Sequence, residues 1–177
     1  MSLFLGLDLG GTKMDALALR PGFHDAAPGS SPIAARARIP TEAEGGYGHI
    51  LKRAEGLLRR VFEEGGGRPS QGERPLGVGV GAPGHVSRVT GGLKNANTRC
   101  LIGEDLKGDL RRALGCEVSL ENDANLFTLA EATWGAGRGA DGVTDARDEI
   151  GDKAADAIED TFAGTDIGTT RGGTDCT

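Results

Sequence analysis

The stretch LFLGLDLGGTKMDALAL, residues 3–19, is where the fold is decided. Leu3 to Leu9 alternates apolar and small residues, Gly10-Gly11 is a turn signal, and Met14 to Leu19 is a second strand-like run. The segment reads as a β-hairpin carrying Asp8 beside its turn. Its glycines lie between two strands instead of opening a helix, so it is neither a Walker loop nor a dinucleotide fingerprint. Without a Cβ, Gly10 and Gly11 let backbone N–H groups approach phosphate oxygens closely. Thr12 adds a hydroxyl donor, Lys13 a cation, and Asp8 a carboxylate able to hold Mg²⁺ directly or through water. This suits the terminal phosphates of a nucleotide. It equally suits a Gly-Gly hairpin capped by solvated side chains, and Lys13 can be an ordinary solvated strand residue; spacing alone does not choose.

Downstream, Ala35 to Ile39 is read as a short third strand after a Gly/Pro/Ala-rich loop. From His49 to Phe62, Ile50, Leu51, Ala54, Leu57, Leu58, Val61 and Phe62 fall at helical spacing, with Lys52, Arg53, Arg59 and Arg60 on the other side. Leu76 to Gly81 alternates with glycine as in a strand closely approached by other backbone. A loop is expected from Ala82 to Gly103, a helix over Leu106–Leu114, a strand over Glu117–Leu120 and a helix over Ala124–Trp134. Strand, strand, strand, helix, strand, helix, strand, helix is the order of a mixed α/β sheet covered by helices.

The 177 residues suggest one domain or slightly more, with surface enough to bury a core unaided. Aromatics at 4% make a stacking surface for single strands a poor reading. The net charge of -6 is unevenly placed: residues 1–140 are nearly balanced, and the acidity belongs to a tail of different composition from Asp141 onward. No basic arm for nucleic acid is visible. Cys100, Cys116 and Cys176 have no zinc or disulfide spacing, and His24, His49 and His85 share no metal-ligand spacing. No apolar run approaches the roughly 20 residues of a membrane helix, and the opening residues lack a basic leader. A soluble cytoplasmic protein, binding neither membrane nor nucleic acid, is the expectation.

Asn122-Asp123-Ala124-Asn125 leaves a strand and opens a helix. Asn or Asp there is what an ordinary N-cap needs. A carboxylate at a strand's C-terminal edge can instead take a proton from a substrate hydroxyl, and the helix dipole keeps it ionised for that work. Gly79-Val80-Gly81-Ala82-Pro83-Gly84 and Lys94-Asn95-Ala96-Asn97 are the other glycine-rich or polar loops. Asn offers the donor and acceptor that sugar hydroxyls require, although both loops also read as local turns.

Taken in order, Leu5 to Lys13, Gly79 to Gly84, Lys94 to Thr98 and Glu121 to Asn125 with Ala130-Glu131 downstream resemble the ROK family of sugar kinases and related repressors. That family belongs to the actin and hexokinase superfamily, so the resemblance implies a ribonuclease-H-like (actin-like ATPase) mixed sheet with flanking helices. It assigns Asp8, Gly10, Gly11, Thr12 and Lys13 to ATP phosphates, with Mg²⁺ at Asp8. Asp123 becomes the general base for a hexose 6-hydroxyl, and Gly84, Asn97 and Asn122 become sugar-binding residues. The stretch Leu93 to Thr98 looks most like fructokinase-type members, glucokinase or N-acetylhexosamine kinase less so. For the full-length enzyme a homodimer is compatible with the resemblance.

Residues 1–139 are thus expected to be the N-terminal kinase lobe, and 140–177 a divergent, poorly ordered acidic tail with at most one helix. The family's second lobe, with its adenosine pocket and zinc loop, is missing from the expectation, as after a truncation or frameshift. Half a cleft leaves ATP and sugar solvated, so little turnover is expected of this chain alone. A non-catalytic sugar-binding remnant is the alternative. A sugar-responsive repressor of the same family is the further alternative; it would place a helix-turn-helix before the hairpin, whereas Asp8 is almost at the start here and the basic charge for DNA is missing, so it is the less expected reading.

Overall fold

The computed structural model describes residues 2–22, 31–86, 92–94, 98–123 and 125–126. Its strands and helices in chain order are β1 (Phe4–Leu9), β2 (Lys13–Leu19), β3 (Ile33–Pro40), α1 (Tyr47–Glu64), β4 (Gly77–Ala82), β5 (His85–Val86), β6 (Leu93–Lys94), α2 (Leu106–Leu114) and β7 (Val118–Asn122). Five strands form one sheet in the order β3-β2-β1-β4-β7. The β1–β2 and β2–β3 pairs are antiparallel, and the β1–β4 and β4–β7 pairs are parallel. This is the mixed α/β sheet expected from the sequence.

The alternation in β1 sends Leu5, Leu7 and Leu9 to one face, where they are buried with Met14, Ala16 and Ala18 of β2, Val78, Val80 and Ala82 of β4 and Val118 of β7. Helix α1 covers that face with Ile50, Ala54, Leu57, Leu58, Val61 and Phe62. Each large side chain buried there contributes roughly 1.5–3 kcal/mol over its exposed state. Helix α2 adds Leu106, Leu110 and Leu114 beside β7. Asp105 starts α2 by accepting a hydrogen bond from the Gly108 N–H at 2.9 Å.

The first hairpin closes through Gly10 N–H donating to the Lys13 carbonyl at 3.0 Å, so the turn is centred on Gly11-Thr12, one residue later than the glycine doublet suggests. Neither Gly10 nor Gly11 has a positive φ. The requirement at Gly10 is for room: a Cβ there would lie 2.8 Å from the Lys13 carbonyl oxygen.

Strand β3 extends beyond the expected Ala35–Ile39 at both ends, pairing with β2 from Ile33 to Pro40. The expected loop from Ala82 to Gly103 contains the two-stranded ribbon of β5 and β6 and a 3₁₀ turn over Arg99–Leu101. Burial of Leu93 and Leu101 ties this segment to the core, a tertiary effect that local turn chemistry does not announce. Asp123 enters a helical turn with 125–126. The rest of the helix expected over Ala124–Trp134, and the expected tail 140–177, lie outside the described residues.

Candidate functional site

Because β1, β4 and β7 are parallel neighbours, their C-terminal ends share one edge of the sheet. Asp8 pairs with Gly81, Gly81 with Glu121, and Ala82 with Asn122. Two segments more than a hundred residues apart in sequence therefore meet across one intervening strand.

At this edge the Gly11-Thr12 turn is pinned from beneath. Thr41, fully buried, donates its hydroxyl to the Gly10 carbonyl at 2.6 Å and its backbone N–H to the Thr12 carbonyl at 2.9 Å. Sequence reasoning missed this residue, because a threonine after Pro40 carries no local signal of a role at another turn. Among the described residues the backbone N–H groups of Gly11 and Thr12 make no hydrogen bond. Thr98 closes on the same turn: a Cβ at Gly11 would lie 3.3 Å from its Oγ1. The segment that follows Asn97 thus returns to the hairpin. Asn97 itself lies outside the described residues.

At the other side, Asn122 does two jobs. Its Oδ1 accepts from the Asn125 N–H at 3.2 Å, the capping arrangement, while its Nδ2 donates to the Gly84 carbonyl at 2.8 Å. Gly84 has φ 103°, a left-handed conformation suited to glycine. Glu121 receives hydrogen bonds from the Asn122 N–H at 2.7 Å and from Asn125 Nδ2 at 3.0 Å. The corner is therefore held by its own side chains, with Asp123 exposed at the start of the helical turn. One side chain thus caps the helical turn and anchors the Gly84 backbone at once.

Asp8, Lys13, Gly81 and Asp123 line one open groove of about 870 Å³ on the sheet face opposite α1. Leu126 packs over Gly81, where a Cβ would meet it at 3.2 Å. Burial pushes the Asp8 carboxyl up, the neighbouring charges of Asp15 and Asp123 push it further, and Lys13 and Arg38 oppose them. The sequence reading did not single out Asp15, Arg36 and Arg38, which line the same groove. Period-two alternation in β2 and β3 was the signal that could have placed them there.

Of the expected site residues, the structure thus gathers Asp8, Gly10, Gly11, Thr12, Lys13, Gly84, Asn122 and Asp123 at one edge. Among the described residues no group of three or more His, Cys, Asp or Glu side chains could cage a metal. One carboxylate at a strand end, beside amide donors, fits the habit of Mg²⁺ instead: a hard ion keeping several waters and phosphate oxygens and taking one or two protein carboxylates.

A family model described as ROK family matches residues 47–145. Over 130 residues the chain is 34% identical to an N-acetyl-D-glucosamine kinase of Yersinia enterocolitica, covering 73% of this chain and 38% of that enzyme. Among solved structures it is similar to a ROK hexokinase from Thermus thermophilus, with TM-score 0.58 and 29% identity over 77% of this chain and 40% of that one. A ROK family glucokinase from Streptomyces griseus, solved with glucose and AMPPNP, gives TM-score 0.59 and 25% identity over 77% of this chain and 38% of that one. The chain spans about 38% of the length of the curated relatives it matches.

Proposed function

Since this chain belongs to the ROK family, we propose that it carries the nucleotide turn and the catalytic base of an ATP-dependent hexose kinase. The observation behind this reading is that Asp8, beside the Gly11-Thr12 turn, and Asp123, at the Asn122 corner, line one groove. Phosphoryl transfer asks a protein mainly for positioning and charge neutralisation, and these residues are of the right kinds.

In this reading the N–H groups of Gly11 and Thr12, with Lys13, receive the terminal phosphates. Asp8 holds the magnesium ion, which when bound neutralises phosphate charge. Asp123 accepts the proton of the hexose 6-hydroxyl as its oxygen forms the new bond to phosphorus, and the bond to the ADP oxygen breaks. Gly84, anchored by Asn122, and Asn97 contact the sugar. Fructose is the first choice of hexose, on the resemblance of Leu93 to Thr98. N-acetylglucosamine is the second reading, favoured by the Yersinia relative.

Titration calorimetry of the 177-residue chain with magnesium AMPPNP, then with fructose, glucose, mannose and N-acetylglucosamine, tests this. Nucleotide binding lost in Gly11→Val, together with one preferred hexose, is expected. A coupled assay of ADP release adds the catalytic arm: any turnover should fall at least about 100-fold in Asp123→Asn, the scale of one general base. A chain that binds neither nucleotide nor hexose would be a non-catalytic remnant.

A further inference from the structure

Asp8 of β1 stands opposite Asp15 of β2, and Asp15 stands opposite Arg38 of β3, forming a single cross-strand row. Arg36, two residues back, lies on the same side of β3. The Asp15 carboxylate is divided between them: Oδ2 accepts from Arg38 Nε at 2.6 Å and Oδ1 accepts from Arg36 Nη2 at 3.4 Å. Asp15 keeps 14% of its side chain exposed, against 53% for Arg38 and 59% for Arg36. The carboxylate is thus the covered anchor, and the guanidiniums are what the groove meets. Strands sit about 4.8 Å apart, so Asp8 and Arg38 are about 10 Å apart across the sheet, a gap an arginine side chain largely spans.

The groove poses an electrostatic problem. Asp8, Asp15 and Asp123 all line it, yet on the reading above it admits a polyphosphate. Lys13, Arg36 and Arg38 form the opposing basic wall on β2 and β3. An untethered arginine on an edge strand would lose much rotamer freedom on gripping a phosphate, and a pre-ordered one loses less.

We propose that Asp15 is a positioning residue that holds Arg38, with Arg36 beside it, as a clamp for the terminal phosphates of a nucleotide seated at the Gly11-Thr12 turn. The clamp rests on the nucleotide reading of that turn. A simpler role for charges on β3, protecting a sheet edge from pairing with another chain, would be served by any charged side chain. It needs neither the Asp15 anchor nor a shared groove with Asp8.

Calorimetry of the 177-residue chain with inorganic tripolyphosphate in the presence of magnesium tests the clamp, with melting curves to confirm that each variant is folded. Arg38→Gln should weaken binding about tenfold, the scale of one charge-assisted contact, and Arg38→Lys should recover part of the loss. Asp15→Asn is the decisive variant. It removes a negative charge from an anion-binding groove, so Coulomb's law alone calls for tighter binding, whereas an anchor calls for binding several-fold weaker. Asp15→Asn binding as tightly as the unaltered chain or tighter, or Arg38→Gln within twofold of it, overturns the clamp. If Gly11→Val still abolishes binding in that case, the nucleotide reading of the turn stands without the clamp. Binding unaffected by Gly11→Val, or absent at millimolar tripolyphosphate from the unaltered chain, overturns both.

Discussion

Gly10 and Tyr47 are single residues whose roles come from contacts distant in sequence or too close for a side chain. A methyl group at Gly10 would sit 2.8 Å from the Lys13 carbonyl oxygen, so Gly10→Ala must open the hairpin turn. The expected cost is about 1–3 kcal/mol, typical of overpacking, read as a lower urea midpoint; an unchanged midpoint would mean that the turn relaxes freely. Tyr47 donates its hydroxyl to Asp109, tying the start of α1 to α2. That hydrogen bond, with the Arg112 guanidinium, holds the Asp109 carboxyl below its ordinary value of 3.8. A carboxylate with a lowered folded pKa stabilises the fold above its unfolded pKa and loses that contribution as pH falls through the lower value. Tyr47→Phe should therefore cost about 1 kcal/mol at neutral pH, and the difference should shrink in acid, at a pH below the ordinary carboxylate value, as Asp109 protonates. Urea titrations at the two pH values check it. Nothing local in the sequence pairs Tyr47 with Asp109, whereas the capacity of Asp123 to act as base or cap is visible in its residue type and setting alone.

At the scale of elements, legibility follows periodicity. The heptad-like apolar face of α1 and the run Leu106–Leu114 of α2 are written in the sequence, and both helices form where expected to within two residues. Strand β3 runs past the expected Ala35–Ile39 to Ile33 and Pro40, next to the proline-bearing loop signals that bounded the reading; pairing with β2, not hydrophobicity, sets its length. The β5–β6 ribbon was invisible because two-residue strands have no period to detect. Caps are local and transferable. Asp105→Ala should lower stability by about 1 kcal/mol through loss of the Gly108 bond, visible as a reduced melting temperature, with Asp105→Asn close to the unaltered chain. Leu58→Ala, at a fully buried position of α1, should cost about 2–5 kcal/mol, enough to unfold a marginal domain in a circular-dichroism melt.

For the whole molecule, strand order governs both stability and site. Strands β2, β1 and β4 are hydrogen-bonded on both sides within the sheet, whereas β3 and β7 each have one described neighbour. Hydrogen exchange should accordingly leave the amides of the central strand β1 protected longer than those of β3; β3 exchanging as slowly as β1 would contradict the sheet order. The same order carries Asp8 and Asp123 to one edge, because β4 lies between their parallel strands. The sequence by itself determined the hairpin, the helical faces, the α/β class and the residue types able to meet a phosphate or take a proton. These depend on period, turn chemistry and functional groups carried within a few residues. Only the tertiary structure decided that Thr41 pins the turn, that Asn122 holds Gly84, and that Asp15 gathers Arg36 and Arg38 beside Asp8. Those depend on which strands lie side by side and in what register, a choice made by burying apolar faces from distant segments, and no local pattern encodes it.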